Sequence, residues 1–144
     1  MILGQILLSG ITVIGEAISL YFTLATYHVV PENFIESMPI CNIQGERMRI
    51  VDTRYARVFY LPNSVYGMVY YLVLFVATIG WWHLWPTPVE FSFFLVSLLV
   101  TLLSGYLFWS LFKKLRTPCR LCIISHFLNL SISILLGYRY FVLH

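Results

Sequence analysis

The sequence predicts an all-α, polytopic membrane protein, a four-transmembrane-helix bundle with a capping loop and a short interfacial helix between helices 1 and 2. Of 144 residues, 60% are hydrophobic and only 10% are charged, whereas a soluble domain has about 25% charged residues. Four apolar runs are long enough to cross a bilayer, which takes about 20 residues. We expect a single domain over residues 1–144, with helices at about 3–30, 63–85, 89–112 and 118–142 and an active-site loop at 31–62.

The first helix carries two small residues and one acidic residue near its centre. Gly15 and Ser19 are four residues apart and share one face of the helix, which lets a neighbouring helix approach closely. Glu16 lies near the middle of the span, where an ionised carboxylate costs at least about 2.5 kcal/mol. We expect it to be protonated, paired or facing a cavity, as a neutral acid bonded inside the bundle or as part of a proton relay.

The segment between helices 1 and 2 is the only long polar stretch. It holds Cys41, and its last third, Thr53 to Tyr60, has Arg54 and Arg57 on one side and apolar residues towards another. This pattern is typical of a short helix lying in the membrane interface. Such a helix can cap the bundle.

Helices 2 and 3 begin and end with recognisable signals. Asn63 follows a proline at the start of helix 2, which favours a helix cap over a ligand contact. The run ends with three tryptophans, typical of an aromatic belt at the membrane surface; they are Trp81, Trp82 and Trp85. Helix 3 carries a stripe of small polar residues that predicts a helix contact; it consists of Ser97, Thr101 and Ser104.

The start of helix 4 is the most reactive part of the chain. Thr117 and Pro118 are typical of a helix cap and a first helical residue, so we expect Cys119 and Cys122 in the first turn. Backbone amides and the helix dipole stabilise a thiolate at such a position. A reactive thiol pair is therefore expected here.

A polar stripe continues from this pair into the helix. His126 and Asn129 follow Cys122 at spacings of four and three residues, so all three share one face. Four spans place the first and third loops on the same side of the membrane, and Cys41 therefore lies on the same side as the pair. A lone cysteine near a reactive pair is a candidate exchange partner.

Basic residues give the expected orientation. The first loop contributes four arginines, and the third connection with its helix start contributes two lysines and two arginines, whereas the opposite side has only Arg139. The positive-inside rule then places the cysteine face in the cytoplasm. We expect a multi-pass integral membrane protein in this orientation.

Several stretches together resemble the vitamin K epoxide reductase (VKOR) family, in its prokaryotic type, over nearly the whole chain. The specific element is Cys-Arg-Leu-Cys at the start of the fourth helix, with an asparagine seven residues after the second cysteine. The other stretches are Gly15 to Tyr21 (GEAISLY), Tyr55-Ala56, Asn63 to Gly67 (NSVYG) and His126.

The resemblance implies a four-helix bundle that holds a quinone of the ubiquinone, menaquinone or vitamin K type. It implies that Cys122 does the chemistry at the quinone ring and that Cys119 exchanges with a loop cysteine, which makes Cys41 a catalytic candidate. Asn63 would hydrogen-bond one quinone oxygen. His126 stands where the family commonly has a tyrosine that reaches the other side of the quinone, and a histidine there can donate a hydrogen bond or carry a proton. The prokaryotic type implies a location in a prokaryotic cell membrane. The implied activity is oxidation of protein dithiols, delivered by a thioredoxin-like redox protein, coupled to quinone reduction. The alternative substrate is vitamin K epoxide.

One departure from the family concerns the loop. The family usually has two loop cysteines, and the second would fall near residues 47–49, where this chain has Arg-Met-Arg. Three explanations stay open: partner thiols reach Cys119 directly, Cys41 works alone through a mixed disulfide, or the chain is a substituted form.

Two other functional classes also fit the residues. Cys41, Cys119, Cys122 and His126 are soft ligands suited to zinc or copper. The chain could also be a non-catalytic bundle in which Cys119 and Cys122 form a structural disulfide. We expect neither a metal nor a nucleic-acid partner.

Overall fold

A computed structural model describes residues 2–27, 29, 54, 57–81, 84–113 and 119–142, without the side chains of residues 58 and 81. The described elements are four long helices and one small hairpin. In chain order they are α1 (Ile2–Thr26), β1 (Arg57–Val58), β2 (Leu61–Pro62), α2 (Asn63–Trp81), α3 (Thr87–Lys113) and α4 (Arg120–Val142).

All four helices are long and apolar enough to cross a membrane. Their outward faces carry exposed large apolar side chains along the whole length of the bundle, for example Leu3, Leu72, Leu99 and Phe141. Apolar surface of this extent is excluded from water in a stable protein, so lipid covers it. The predicted fold class, a four-transmembrane-helix bundle, is confirmed.

The helix ends differ from the predicted ones by up to four residues. Helix α1 ends at Thr26 rather than near Val30, and the backbone then closes with a bond from Val29 N to Leu24 O at 3.0 Å. Helix α3 begins two residues before the predicted start, because the carbonyl oxygen of Pro86 accepts the first backbone bonds of the helix. Proline is well suited to a helix start, where no N–H partner is needed.

The predicted interfacial helix over Thr53 to Tyr60 is wrong from Arg57 onwards. Arg57 pairs with Pro62 and Val58 with Leu61 in an antiparallel hairpin, and the two turn residues have positive φ, 46° for Phe59 and 70° for Tyr60. Two consecutive residues with positive φ make a type I′ turn, whose twist matches that of the two strands. The spacing of the apolar residues suited a helix but did not reveal this turn.

Helices α1 and α2 pack closely through small residues. A Cβ atom built on Gly15 would lie 2.5 Å from Cε1 of Tyr71, and one built on Gly67 would lie 2.8 Å from Oγ of Ser19. Both contacts need glycine because the facing side chain fills the space of a methyl group. The predicted role of Gly15 and Ser19 in close helix packing is confirmed.

Helices α3 and α4 are joined by hydroxyl groups. Thr101 Oγ1 donates to Asn129 O at 3.1 Å and lies 2.8 Å from Ser133 Oγ, and Ser133 Oγ donates to Ser97 Oγ at 3.2 Å. Hydrogen bonds of this kind connect helices inside a bilayer, where water does not compete. The prediction that the polar stripe of α3 is a helix contact is confirmed.

At the end of the bundle away from the cysteines, Trp85 lies inside rather than in the expected aromatic belt. It is 7% exposed, its Nε1 donates to Ala77 O at 3.2 Å, and its ring stacks on Phe93 at 4.7 Å. A ring with a satisfied N–H and a stacked neighbour is more stable in the core. Trp82 and the side chain of Trp81 lie outside the described residues.

Candidate functional site

A cavity of about 190 Å³ lies at the end of the bundle that carries the cysteines. It is bounded by the end of α1, the start of α2, the last turns of α3 and the first turns of α4. Apolar side chains form much of its wall, including Phe22, Val100, Leu103 and Leu107. Pockets of this kind, mostly apolar with a few convergent polar groups, bind small molecules.

The two cysteines of the fourth helix have different surroundings. Cys119 is 0% exposed, packs against Leu111 and is disulfide-bonded. Cys122 is a free cysteine and lines the cavity. The two are therefore not bonded to each other, which argues against a structural disulfide within the Cys-x-x-Cys pair.

The placement of Cys119 and Cys122 on the helix differs slightly from the prediction. The carbonyl oxygen of Cys119 accepts the backbone N–H of Ile123 at 3.1 Å, and α4 begins at Arg120. Cys119 thus occupies the cap position, and Cys122 alone lies in the first turn. The predicted cap, Thr117 and Pro118, lies outside the described residues.

Asn63 and His126 line the same cavity from two different helices. Asn63 is the first residue of α2, and His126 lies one turn beyond Cys122 on α4; both line the cavity. The His126 ring makes an edge contact with Phe108, at 5.8 Å between centroids. The structure therefore brings together three of the predicted site residues at one cavity, Cys122, Asn63 and His126. Cys119 lies three residues before Cys122 and is not among the residues that line the cavity.

Several buried polar atoms at this cavity lack a partner in the described part of the chain. They are Tyr70 Oη, Ser110 Oγ and His126 Nδ1, and all three residues line the cavity. A buried polar group without a hydrogen bond costs about 1–3 kcal/mol. Such groups around one cavity are typical of a site that pairs with a polar ligand.

Comparison with known families agrees with this arrangement. The sequence model described as "Vitamin K epoxide reductase family" matches residues 6–136, a range that overlaps all four helices and includes both Cys119 and Cys122. The chain belongs to the vitamin K epoxide reductase family. No curated protein and no solved structure matches the chain significantly.

Membership of the vitamin K epoxide reductase family makes this protein a membrane oxidoreductase. The four spanning helices agree with a multi-pass membrane protein. Among the residues that the structure describes, no group of three His, Cys, Asp or Glu side chains is close enough to hold a metal ion. Cys41, which completes the predicted metal set as well as the predicted redox relay, lies outside the described residues.

Tyr71 and Ser104 line the cavity, and neither was predicted from the sequence as a site residue. Tyr71 Oη donates to Asn129 Oδ1 at 2.6 Å, and Asn129 Nδ2 donates to Ser104 Oγ at 2.6 Å. Asn129 and Ser104 belong to the two predicted polar stripes, but the sequence does not show that the stripes meet at a cavity. No motif in the sequence singled out Tyr71.

Glu16 does not line this cavity, and its Oε2 atom is buried without a hydrogen-bond partner among the described residues. The two roles expected for Glu16, a neutral acid bonded inside the bundle and part of a proton relay, are not tested by this placement and both stay predictions.

Proposed function

We propose that this protein oxidises protein dithiols to disulfides and passes the electrons to a quinone. The observation that carries the proposal is the different state of the two cysteines: Cys122 is free and lines an apolar cavity, while Cys119, three residues earlier, is disulfide-bonded. One cysteine thus reaches the ligand cavity and the other takes part in disulfide exchange.

Cys41 is the partner that we propose for Cys119. The chain has three cysteines, and Cys122 is free. Because Cys119 is 0% exposed, a protein partner cannot attack it in this state. We therefore favour a relay in which Cys41 works alone over direct attack of a partner on Cys119.

The proposed thiol exchange has three steps. Attack of the Cys41 thiolate on Cys119 Sγ of a Cys119–Cys122 disulfide forms the Cys41–Cys119 bond and releases the Cys122 thiolate. A thioredoxin-like partner then attacks Cys41 with one thiolate, which releases Cys119. The second thiolate of the partner then attacks the disulfide between the partner and Cys41, which forms the partner's own disulfide and releases Cys41. The partner loses two electrons and two protons, which reside on the reduced Cys119 and Cys122.

The cavity fits a quinone by its donors and by its walls. Asn63 and His126 offer side-chain N–H groups, and the same cavity is lined by Tyr70 and Ser110, whose hydroxyl oxygens have no partner among the described residues. The apolar wall excludes water, which strengthens hydrogen bonds to a carbonyl oxygen. A quinone supplies the acceptor for two electrons and two protons that restores the Cys119–Cys122 disulfide.

The orientation that we propose puts the cysteine end of the bundle on the cytoplasmic side. In the sequence, eight of the nine lysines and arginines fall in the first and third connections or in the helix residues next to them. The ninth, Arg139, is buried in an ion pair with Glu90, so it offers no free charge to the opposite membrane surface. The charge bias that sets membrane orientation is therefore strongly one-sided.

Vitamin K epoxide is the alternative substrate for the same site. Both substrates present oxygen acceptors to the donors of the cavity, so the described residues favour neither. The chain resembles prokaryotic homologues in placing Leu61-Pro62 directly before Asn63, and on that ground we favour quinone. Reduction of a quinone and of its epoxide by the same purified protein distinguishes the two.

The decisive experiment measures quinone reduction by a dithiol donor in purified protein. We expect Cys122→Ala to abolish the reaction, because no other described thiol reaches the cavity. The matched control is Ile124→Ala, two residues further on the exposed face of the same helix, which should retain full activity. Unchanged quinone reduction by Cys122→Ala would exclude the proposal, and a bound metal in the purified protein would support the metal-binding class instead.

A further inference from the structure

A series of hydrogen bonds crosses three helices at the wall of the cavity. Tyr71 of α2 donates through its hydroxyl to Asn129 of α4, which in turn donates through Nδ2 to Ser104 of α3, with both distances at 2.6 Å. All three residues line the cavity and are less than a tenth exposed. The series ends on the hydroxyl group of Ser104.

The direction of these bonds determines what Ser104 can still do. Its oxygen accepts from Asn129, and its proton has no acceptor within the described ranges of the chain. The neighbouring hydroxyls of the stripe differ, because Ser97 donates to Phe94 O at 2.7 Å and Thr101 donates to Asn129 O at 3.1 Å. Ser104 is therefore the member of the stripe with a proton to give to a ligand.

Its partners also make Ser104 a stronger donor. Hydrogen bonds in series polarise one another, and the effect is larger in a medium of low dielectric constant. Donation by the Tyr71 hydroxyl to the amide oxygen of Asn129 strengthens the N–H of the same amide. The hydrogen bond from the Asn129 amide to the Ser104 oxygen then makes the Ser104 O–H a stronger hydrogen-bond donor. Apolar neighbours in the cavity wall keep water from weakening the series.

We infer that Ser104 donates a hydrogen bond to a carbonyl oxygen of the bound quinone, with Tyr71 and Asn129 as positioning residues that hold and polarise it. This inference rests on the proposed quinone site and adds a donor from α3 to Asn63 of α2 and His126 of α4. Donors from three helices fix the ring in one orientation beside Cys122, since each approaches from a different side of the cavity.

The test uses the full-length protein in detergent and 2-methyl-1,4-naphthoquinone labelled with ¹³C at its carbonyl carbons. Two quantities are measured: the dissociation constant, and the infrared stretching frequency of each bound carbonyl. A lost hydrogen bond raises that frequency. The variants are Ser104→Ala, Ser104→Thr, Tyr71→Phe and the double variant Ser104→Ala/Tyr71→Phe, and Ser92→Ala is the control because its hydroxyl donates to Pro88 O on an exposed face of α3.

We expect Ser104→Ala to raise the dissociation constant about 3- to 10-fold, the effect of one hydrogen bond, and to raise one carbonyl frequency. Ser104→Thr, which keeps a hydroxyl group, should restore both. Tyr71→Phe should weaken binding by a smaller factor in the wild-type background and have no effect in Ser104→Ala, because it acts through Ser104. Ser92→Ala should leave both quantities unchanged.

Unchanged affinity and carbonyl frequencies in Ser104→Ala would overturn the inference, as would a loss of stability alone, which indicates a packing role. Additive effects of the two substitutions would overturn the positioning role of Tyr71. If Ser104→Ala does not fold, an unchanged carbonyl frequency in Tyr71→Phe overturns the inference. If the wild-type protein binds and reduces the quinone and these variants behave as wild type, the inference fails and the proposed function stays intact. If the wild-type protein neither binds nor reduces the quinone, the inference and the proposed function both fail.

Discussion

The ring of Tyr71 fills the space that a side chain on Gly15 would need, since a Cβ atom at Gly15 would lie 2.5 Å from Cε1 of that ring. The ring cannot move aside freely, because Tyr71 is 2% exposed and its hydroxyl is bonded to Asn129. One glycine in α1 thus supports both the α1–α2 contact and the position of a group at the cavity wall.

We expect Gly15→Ala to lower the free energy of unfolding by about 1–3 kcal/mol, the usual cost of overpacking a core. The same substitution should weaken quinone binding, because displacement of the ring breaks the bond to Asn129. Gly10→Ala is a matched control in the same helix, where an added Cβ would have no atom within 4 Å. Thermal unfolding in detergent measures the first effect, and equal stability of both variants would contradict the packing argument.

The hairpin before α2 stores backbone strain in its turn. Tyr60 is 98% exposed and has a φ of 70°, a conformation that costs most residues about 1–2 kcal/mol but costs glycine little. Tyr60→Gly should therefore be more stable than Tyr60→Ala by about 1 kcal/mol, although glycine usually destabilises. Thermal unfolding of the two variants tests this, and a more stable Ala variant would be inconsistent with the turn geometry.

Much of the fold could be predicted from the sequence because bilayer spans need long apolar runs that leave an unmistakable pattern. The pairing of the helices was also visible in part, since Gly15, Ser19 and the hydroxyls of α3 mark close contacts. Local geometry was less accessible. A positive φ at Phe59 and Tyr60 has no sequence signal, because such turns are usually built from Asn and Gly.

The candidate site was predictable to a similar degree. Cys122, Asn63 and His126 line one cavity as their motifs suggested. Tyr71 and Ser104 were missed because their roles depend on which helix faces meet, and this is decided by packing between distant parts of the chain. Trp85 was placed wrongly for the same reason, since an interfacial and a buried tryptophan look alike in a sequence.

A buried ion pair closes the bundle at the end away from the cysteines. Nε of Arg139 donates to Glu90 Oε1 at 2.7 Å, Nη2 also contacts Oε1, and the guanidinium lies 5.3 Å from the centre of the Trp85 ring. Glu90 lies in the first turn of α3 and Arg139 in the last turn of α4, where each charge also interacts favourably with its helix dipole.

We expect Glu90→Leu to destabilise the protein by about 3–5 kcal/mol, because it leaves the arginine charge buried without its carboxylate. The double variant Glu90→Leu/Arg139→Leu should be more stable than Glu90→Leu, since it buries no charge. Lys113→Ala, at an exposed position in the last turn of α3, is the control and should have little effect. A double variant no more stable than Glu90→Leu would show that the two residues do not act as a pair.

The proposed orientation can be tested at two exposed positions on opposite ends of the bundle. Tyr60 is at the tip of the hairpin and is 98% exposed, and Leu84 lies between α2 and α3 and is 75% exposed. In a background with the three native cysteines replaced by serine, Tyr60→Cys and Leu84→Cys each carry one reporter thiol. A membrane-impermeant thiol reagent added to intact cells should label Leu84→Cys and should label Tyr60→Cys only after the cells are opened, because the basic residues at the hairpin end keep it in the cytoplasm. The reverse labelling pattern would place the cysteine end outside, and the arginines of the first loop would then need a role other than setting the orientation.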